Sequence, residues 1–390
     1  MNILNAFREG RAKAAIERRL SDALGVAVAA TLNPAGDLIT LEVPRDLGKG
    51  PHDPIADRVL AAYGRMKADQ PKYPAYAPAP LWAQQLAKAY APLNGQDAAT
   101  FLANFGLNPA YTGIDSGHLI REANGSAWRR RRFINTVLWP QLELWRLYTA
   151  ADWSAMAEPQ IGQACGFRIA GHFMTINGSA CDMYARELAP FIADAPRPAI
   201  AELGGGLGRF SWTFQKYLPE SRYIDFDLPE VATLAAYYAL HASPGRRALL
   251  YGEGEWTDEH DLAFLPSWAV ETMPLVDLVI NKNSLGEMAP AAVHRYLDVM
   301  IPRTRWFWHM NHDGTPVPLG GREVGLLARD YPVPARLVTR YLEPGHAIWL
   351  RTRSDIFVYL YVTDRAQGGS HEARFSPGPL NTPQCSTRRV

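Results

Sequence analysis

Apolar positions set the first expectations. Ile3, Leu4, Phe7, Ala14, Ile16, Leu20 and Leu24 recur among arginines and glutamates at a roughly helical spacing that Gly25 can close, which predicts an amphipathic helix over 3–24. Two runs of β-type residues follow, 26–32 and 38–43, around the turn sequence Asn33-Pro34-Ala35-Gly36-Asp37, and this reads as a hairpin. From Asp53 to Tyr148 the spacing is helical again, interrupted by the proline-rich stretch 71–80 and by Gly95, Gly106 and Gly113. A different pattern begins near Ala199. Short apolar runs at 199–203, 221–228, 247–252, 276–281 and 304–310 alternate with loops and with helical stretches over 229–242 and 290–301. Strands alternating with helices at this spacing predict an α/β fold with a doubly wound, mostly parallel sheet and helices on both faces. Two further strand-like runs, 335–342 and 355–364, predict a closing antiparallel hairpin at the sheet edge. Beyond Arg365 no apolar period remains, and Gly, Ser and Pro dominate, so 366–390 reads as a flexible tail. The expected division is an N-terminal, mostly helical region (1–150) that serves as substrate lid or dimerisation element, a sheet domain (151–365) and the tail.

Composition narrows the function. With 390 residues and 47% hydrophobic positions, the chain has material for a large core or two ordinary ones. A formal charge of +1 removes the whole-chain electrostatic argument for nucleic-acid binding, so the expected partner is a small molecule. Three cysteines, with no C-x-x-C pair, argue against a disulfide framework and against a structural zinc site. No stretch approaches the ~20 apolar residues of a membrane span, and 1–20 carries charges where a signal peptide needs an apolar core. The expectation is a cytoplasmic protein in a reducing compartment.

The chemistry gathers around Glu202-Leu203-Gly204-Gly205-Gly206-Leu207-Gly208. Glycines at a strand end permit positive φ and let a ligand lie against the backbone, and the following helix start offers unpaired N–H groups. The dinucleotide fingerprint G-x-G-x-x-G fails at its third glycine, where Arg209 stands, so a nicotinamide cofactor is disfavoured. Asp227, closing the second strand, can accept hydrogen bonds from both hydroxyls of a ribose, which makes the expected ligand a nucleoside. Its alternative role is to cap the helix that begins at Pro229.

These residues resemble the class I S-adenosylmethionine-dependent methyltransferases: E-x-G-x-G-x-G, then an acidic residue closing strand two. The wording Phe226-Asp227-Leu228-Pro229 is similar to that of small-molecule O-methyltransferases. A more specific likeness is to the bacterial sugar O-methyltransferases, which share in this order an EP-x-x-G segment (Glu158, Pro159, Gly162), the glycine loop, a D-LPE segment and N-x-x-S-x-x-EM (Asn281, Ser284, Glu287, Met288). The resemblance covers about residues 155–365. It implies a Rossmann-like fold, S-adenosyl-L-methionine as methyl donor, and a hydroxyl acceptor on a sugar or glycoconjugate, with a homodimer left open. One departure stands out: the histidine-aspartate pair that carries the base in plant-type O-methyltransferases is replaced by Gly286-Glu287.

The expected donor contacts are Glu202, Gly204, Gly205, Gly206, Gly208, Asp227, Leu228, Glu253 (in the loop after strand three) and Asn281. His309 and Glu287 are the expected catalytic residues, with His312 paired to His309 as a further candidate base, because these segments follow parallel strands at the ligand edge. His309 has the better resting pKa for a base near neutrality, with Glu287 orienting the acceptor. His312 and Asp313 lie beside His309 in sequence, but without a wider ligand set no metal is expected. The basic run Arg129 to Arg132 reads as a solvated helix face, with a phosphorylated acceptor as the alternative. Tyr73, Tyr76 and Trp82 fit either a core or a sugar-stacking role. Two other functions compete: a natural-product O- or N-methyltransferase, and a non-catalytic partner that only binds the donor.

Overall fold

The computed structural model describes residues 38–44, 53–108, 116–343 and 355–367. The expected helix over 3–24, the 26–32 half of the first hairpin and the tail beyond 367 lie outside them.

Strand β1 (Ile39–Glu42) precedes a run of helices: α1 (Pro54–Asp69), α2 (Pro80–Ala89), α3 (Ala98–Ala103), α4 (Ser116–Ala123), α5 (Ala127–Phe133) and α6 (Trp139–Thr149). Asp53 starts α1 by accepting a hydrogen bond from Ile55 N at 3.0 Å, with Pro54 in the first turn, where a missing N–H costs nothing. Ala56, Val59, Ala62, Tyr63 and Met66 form its buried stripe. Within the described residues β1 pairs antiparallel with β2 (Gly166–Ile169), which pairs in turn with β3 (His172–Met174). The β2–β3 turn is tight because Ala170 and Gly171 both take positive φ, as a two-residue hairpin demands.

After α7 (Gly178–Leu188) the chain enters the main sheet. Its strands are β4 (Ala199–Leu203), β5 (Arg222–Asp227), β6 (Ala248–Leu250), β7 (Leu262–Pro266), β8 (Val276–Lys282) and β9 (Thr304–His312); a small pair, β10 (Pro318–Gly320) and β11 (Glu323–Val324), stands apart; β12 (Arg336–Leu342) and β13 (Ile356–Val362) complete the sheet. The order is β12-β13-β9-β8-β4-β5-β7-β6, parallel from β9 to β6 and antiparallel at β13 and β12. Helix α8 (Arg209–Gln215) follows β4, α9 (Pro229–Ala242) follows β5 and α10 (Pro290–Met300) lies between β8 and β9. The direction of winding reverses between β4 and β8, and such a switch point opens a crevice at the carboxyl ends of the strands.

Helix α9 is buried on nearly every side because the sheet covers one flank and α1 the other. This sandwich fastens the N-terminal helices to the sheet, and a continuous apolar core runs through both. The sequence pattern missed β7. The residue run that follows Asp261 was absorbed into a polar loop, yet it is β7, and not β6, that lies beside β5. β6 and the loop that follows it therefore lie one strand farther from the crevice.

Candidate active site

The glycine loop lies at the mouth of the crevice. Gly204, Gly206 and Gly208 have φ of 73°, 62° and 70°, a left-handed zigzag that residues with a Cβ resist. Gly204 N donates to Phe226 O at 2.9 Å, Gly205 N to Asp225 Oδ1 at 3.1 Å and Gly206 N to Asp227 Oδ2 at 3.0 Å. Asp227 also accepts from Leu228 N at 2.7 Å. The acidic end of β5 thus holds the loop by its own amides. A side chain at Gly204 would collide with Ser284, whereas at Gly206 it would enter open space, the direction of the cleft.

Glu202, Asp225 and Asp227 form a carboxylate cluster beneath this loop. Burial pushes the Glu202 carboxyl up to about 8, with Lys282 pulling it back. Burial likewise raises Asp227 to about 7 against the two amide bonds it accepts, and raises Asp225 well above the ordinary range. Glu202 accepts the Tyr223 hydroxyl and is fully buried, so it supports the loop from behind.

A narrow cleft opens in front, lined by Gly204, Gly206, Asp227, Leu228, Val231, Ser284, Glu287, Met288, Ala289, Ala292 and Tyr296, and closed by Tyr76, Ala77, Pro78, Ala79 and Trp82. These closing residues form a strap that runs from the connection between α1 and α2 into the first turn of α2, where Trp82 lies. It is anchored at two points: the Tyr76 hydroxyl on Glu271, and Trp82 Nε1, which donates to Glu287 Oε2 at 2.8 Å. Burial raises the Glu287 carboxyl, while the Trp82 bond and the nearby His312 lower it in part. Of the expected residues, Gly204, Gly206, Asp227, Leu228 and Glu287 therefore meet on one cavity; Gly205 and Gly208 shape the loop behind it.

Asn281 acts as a brace. It is fully buried, donates to Leu203 O at 2.8 Å and accepts from Asn311 Nδ2 at 2.8 Å, while Asn311 Oδ1 accepts Gly286 N at 3.2 Å. This amide ladder joins the ends of β4, β8 and β9 and sets Ser284 and Glu287 in the cleft wall.

Two expected residues lie elsewhere. Glu253 stands on the exposed loop after β6 and forms a fork with Arg58, at 2.8 and 2.7 Å, while accepting Leu250 N at 2.9 Å. It does not line the cleft, because β7 intervenes. His309 is not at a strand end either: β9 continues through His312, so His309 is an interior strand residue. Its ring is fully buried, stacked on Tyr359 at 4.7 Å and near Tyr331 at 5.1 Å, and neither ring nitrogen has a hydrogen-bond partner among the described residues. Burial pushes its pKa down to about 3, so it stays neutral. His309 and His312, three positions apart on a strand, face opposite sides of the sheet, which separates the two histidines.

The EP-x-x-G segment also finds a physical reason. Glu158 is buried 3.4 Å from Arg209, the residue that replaces the third glycine, and it accepts the Thr175 hydroxyl at 2.7 Å. At Gly162 any side chain would overlap the Phe105 ring. The segment thus packs the helical region against the start of α8. Arg129 pairs with Glu122 at 2.9 Å, and Arg130 donates to the carbonyls of Ala123 and Gly125, which makes part of the basic run structural.

The strap went unrecognised in the sequence. Its signal is the proline-rich stretch 71–80, which reads only as an interruption of helices, and nothing local indicates that Tyr76 and Trp82 reach a cleft some two hundred positions downstream. Trp268, after β7, stacks on Tyr73 with ring centroids 5.1 Å apart and was equally hidden.

No family model and no curated protein matches this chain. Among solved structures, it is similar to the pyocyanin biosynthetic protein PhzM (11% identity, 48% of this chain and 56% of that one, TM-score 0.33). It is also similar to the glycopeptide N-methyltransferase MtfA complexed with sinefungin (13% identity, 47% and 86%, TM-score 0.32). A third is magnesium protoporphyrin IX methyltransferase ChlM from Synechocystis PCC 6803 with bound SAH (12% identity, 47% and 81%, TM-score 0.35). This chain spans about half the length of PhzM.

Proposed function

We propose that the protein is an S-adenosylmethionine-dependent O-methyltransferase whose acceptor is a hydroxyl of a sugar or glycoconjugate. The observation that carries the reading is the left-handed glycine loop tied to Asp227, opening on a cleft whose opposite wall holds Glu287. The donor fits these groups. Open space at Gly206 admits a ligand against the backbone, and Asp227 has oxygen lone pairs to receive ribose hydroxyls. When bound, the donor supplies a methyl group already activated on a sulfonium. The protein's share is then to bind, to orient and to exclude water.

Residues 151–365 form the donor-binding domain in this reading, and the N-terminal helical region supplies the strap and the acceptor side. Glu287, with one oxygen on Trp82, keeps acceptor capacity on the other for an incoming hydroxyl. Trp82 gives that carboxylate an aromatic neighbour, a combination suited to the apolar face and polar rim of a sugar ring. The enclosed cavity is about 80 Å3, whereas pockets that hold whole organic ligands measure roughly 300–1,000 Å3. In this reading the cleft widens when the donor enters, and the strap that closes it is the element expected to move. Trp82 should report this motion: S-adenosylhomocysteine is expected to change the tryptophan fluorescence of the wild type, and Trp82→Phe is expected to lose most of that change. An undiminished change would place the movement elsewhere.

Asp227 gives a pH signature. With its carboxyl raised to about 7, it is largely protonated in the free protein below that pH, and ribose hydroxyls prefer the ionised form. Affinity for S-adenosylhomocysteine should rise between pH 6 and 7, by at most about tenfold per unit, and level off above. Asp227→Asn should bind more weakly and lose the pH dependence; a steep dependence that survives in this variant would assign it to another group. The acceptor class is tested by incubating protein and donor with a panel of monosaccharides and glycosides and following S-adenosylhomocysteine release with mass analysis of the acceptor. A gain of one methyl on a sugar supports the reading, and transfer only to amines refutes it.

A further inference from the structure

The reaction proposed above needs a place for the hydroxyl proton, and His309 is sealed in the core. The carboxyl end of the same strand offers another group. His312 is the last residue of β9, its side chain 31% exposed, and its Nδ1 lies 2.9 Å from Asp355 Oδ1. Asp355 is itself fixed: Oδ2 accepts Thr315 N at 2.7 Å, its carbonyl accepts Asp313 N at 2.7 Å, and Gly314 packs on its Cβ with no room for a side chain. Burial works to raise the Asp355 carboxyl, but the His312 and Thr315 bonds outweigh it and hold it below the usual carboxylate range. An ionised carboxylate only accepts, so in the neutral ring Nδ1 carries the proton and Nε2 has the lone pair. That is the arrangement of a general base oriented by an acid.

The placement relative to the cleft follows from the amide ladder. Parallel pairing of β8 with β9 runs up to Lys282 and Met310, and Asn311 holds Gly286, the residue before Glu287, so the segments that carry His312 and Glu287 leave the sheet as neighbours at its carboxyl edge. Glu287 responds electrostatically to His312, as such proximity requires. Among the described residues, the charged groups near His312 are Asp355, just before β13, and Glu287 from the turn after β8; neighbouring Asp313 is paired with Arg329 and Arg340.

We infer that His312, oriented by Asp355, is the proton acceptor of the methyl transfer, with Glu287 positioning the acceptor hydroxyl. The inference rests on the methyltransferase reading. In the step, the acceptor oxygen forms a bond to the methyl carbon, the carbon–sulfur bond breaks with its electron pair left on sulfur, and the hydroxyl proton moves to His312 Nε2.

The test uses the charge difference between donor and product. S-adenosylmethionine carries a sulfonium cation and S-adenosylhomocysteine a neutral sulfur, so a cation placed beside the transferring methyl weakens the first and spares the second. Calorimetry with both ligands is compared for the wild type, His312→Gln and His312→Lys. The expected result is a fall of at least about threefold in the ratio of S-adenosylmethionine to S-adenosylhomocysteine affinity in the lysine variant relative to the glutamine variant. With a sugar acceptor, His312→Gln should lose about 10²-fold or more in kcat with donor affinity retained. Equal ratios in the two variants, or wild-type turnover in His312→Gln, would overturn the inference. Failure of the wild type to bind either ligand would instead overturn the donor assignment beneath it.

Discussion

Gly206→Val is expected to abolish measurable binding of S-adenosylmethionine and S-adenosylhomocysteine while the protein still folds. The position has φ of 62°, and a Cβ there meets no atom within 4 Å, so the fold tolerates the volume but not the backbone angle without cost. Forcing a side chain into the left-handed region costs roughly 1–2 kcal/mol, a loss the body of the protein should absorb. The valine methyls would fill the opening above Asp227 that a ligand needs. Gly204→Val is the harsher comparison: its Cβ would lie 2.3 Å from Ser284 Oγ, so that variant should lose both binding and stability. Thermal melts with and without S-adenosylhomocysteine separate the two. If Gly206→Val still shifts its melting temperature with ligand as the wild type does, the loop is a turn and not a binding site.

The second large effect concerns acid stability. His309 is held neutral in the fold with its pKa near 3, whereas an unfolded histidine titrates near 6.5. The sign follows directly: below about pH 6.5 the unfolded chain takes up a proton that the native state refuses, so this group's contribution is complete above that pH and declines as pH falls towards 3. Between pH 6.5 and 5 the wild type should lose roughly 2 kcal/mol relative to His309→Phe. Phenylalanine keeps the aromatic stack with Tyr359 and removes two buried nitrogens that lack partners, so at neutral pH the variant should be as stable as the wild type or more so. Urea titrations of both proteins at pH 7 and pH 5 measure this. Parallel losses in the two proteins would mean that His309 is protonated in the native state.

The two histidines show where sequence reasoning stops. The alternation of apolar runs with helices revealed the parallel sheet, and the glycine loop with Asp227 was legible because the loop needs consecutive residues of unusual backbone freedom. Those are local signals. Whether a strand ends at Met310 or at His312 depends on pairing with β13, a partner almost fifty residues away, and that small difference seals one histidine and exposes the other. The same holds for Glu253: its place hinged on β7, whose short run Leu262–Pro266 carries no alternation strong enough to mark it apart from the loop before it. Trp82 reaches Glu287 because the helical region docks on the sheet region, α1 on α9 and α2 on β10, contacts that no spacing along the chain encodes. Conversely, Glu158, part of the EP-x-x-G segment, and Arg209, where the dinucleotide fingerprint fails, meet as a buried pair that joins the helical region to the glycine loop.

Isothermal titration of the full chain with S-adenosylhomocysteine at pH 7.5 tests the central claim most directly, because the demethylated product needs no acceptor and exercises the glycine loop, Asp227 and the strap together. The account predicts one saturable site per chain and a melting temperature that rises with ligand, a ligand at a hundredfold excess over Kd contributing about 2.7 kcal/mol. An absence of both binding heat and thermal shift, with S-adenosylmethionine equally silent, would contradict it.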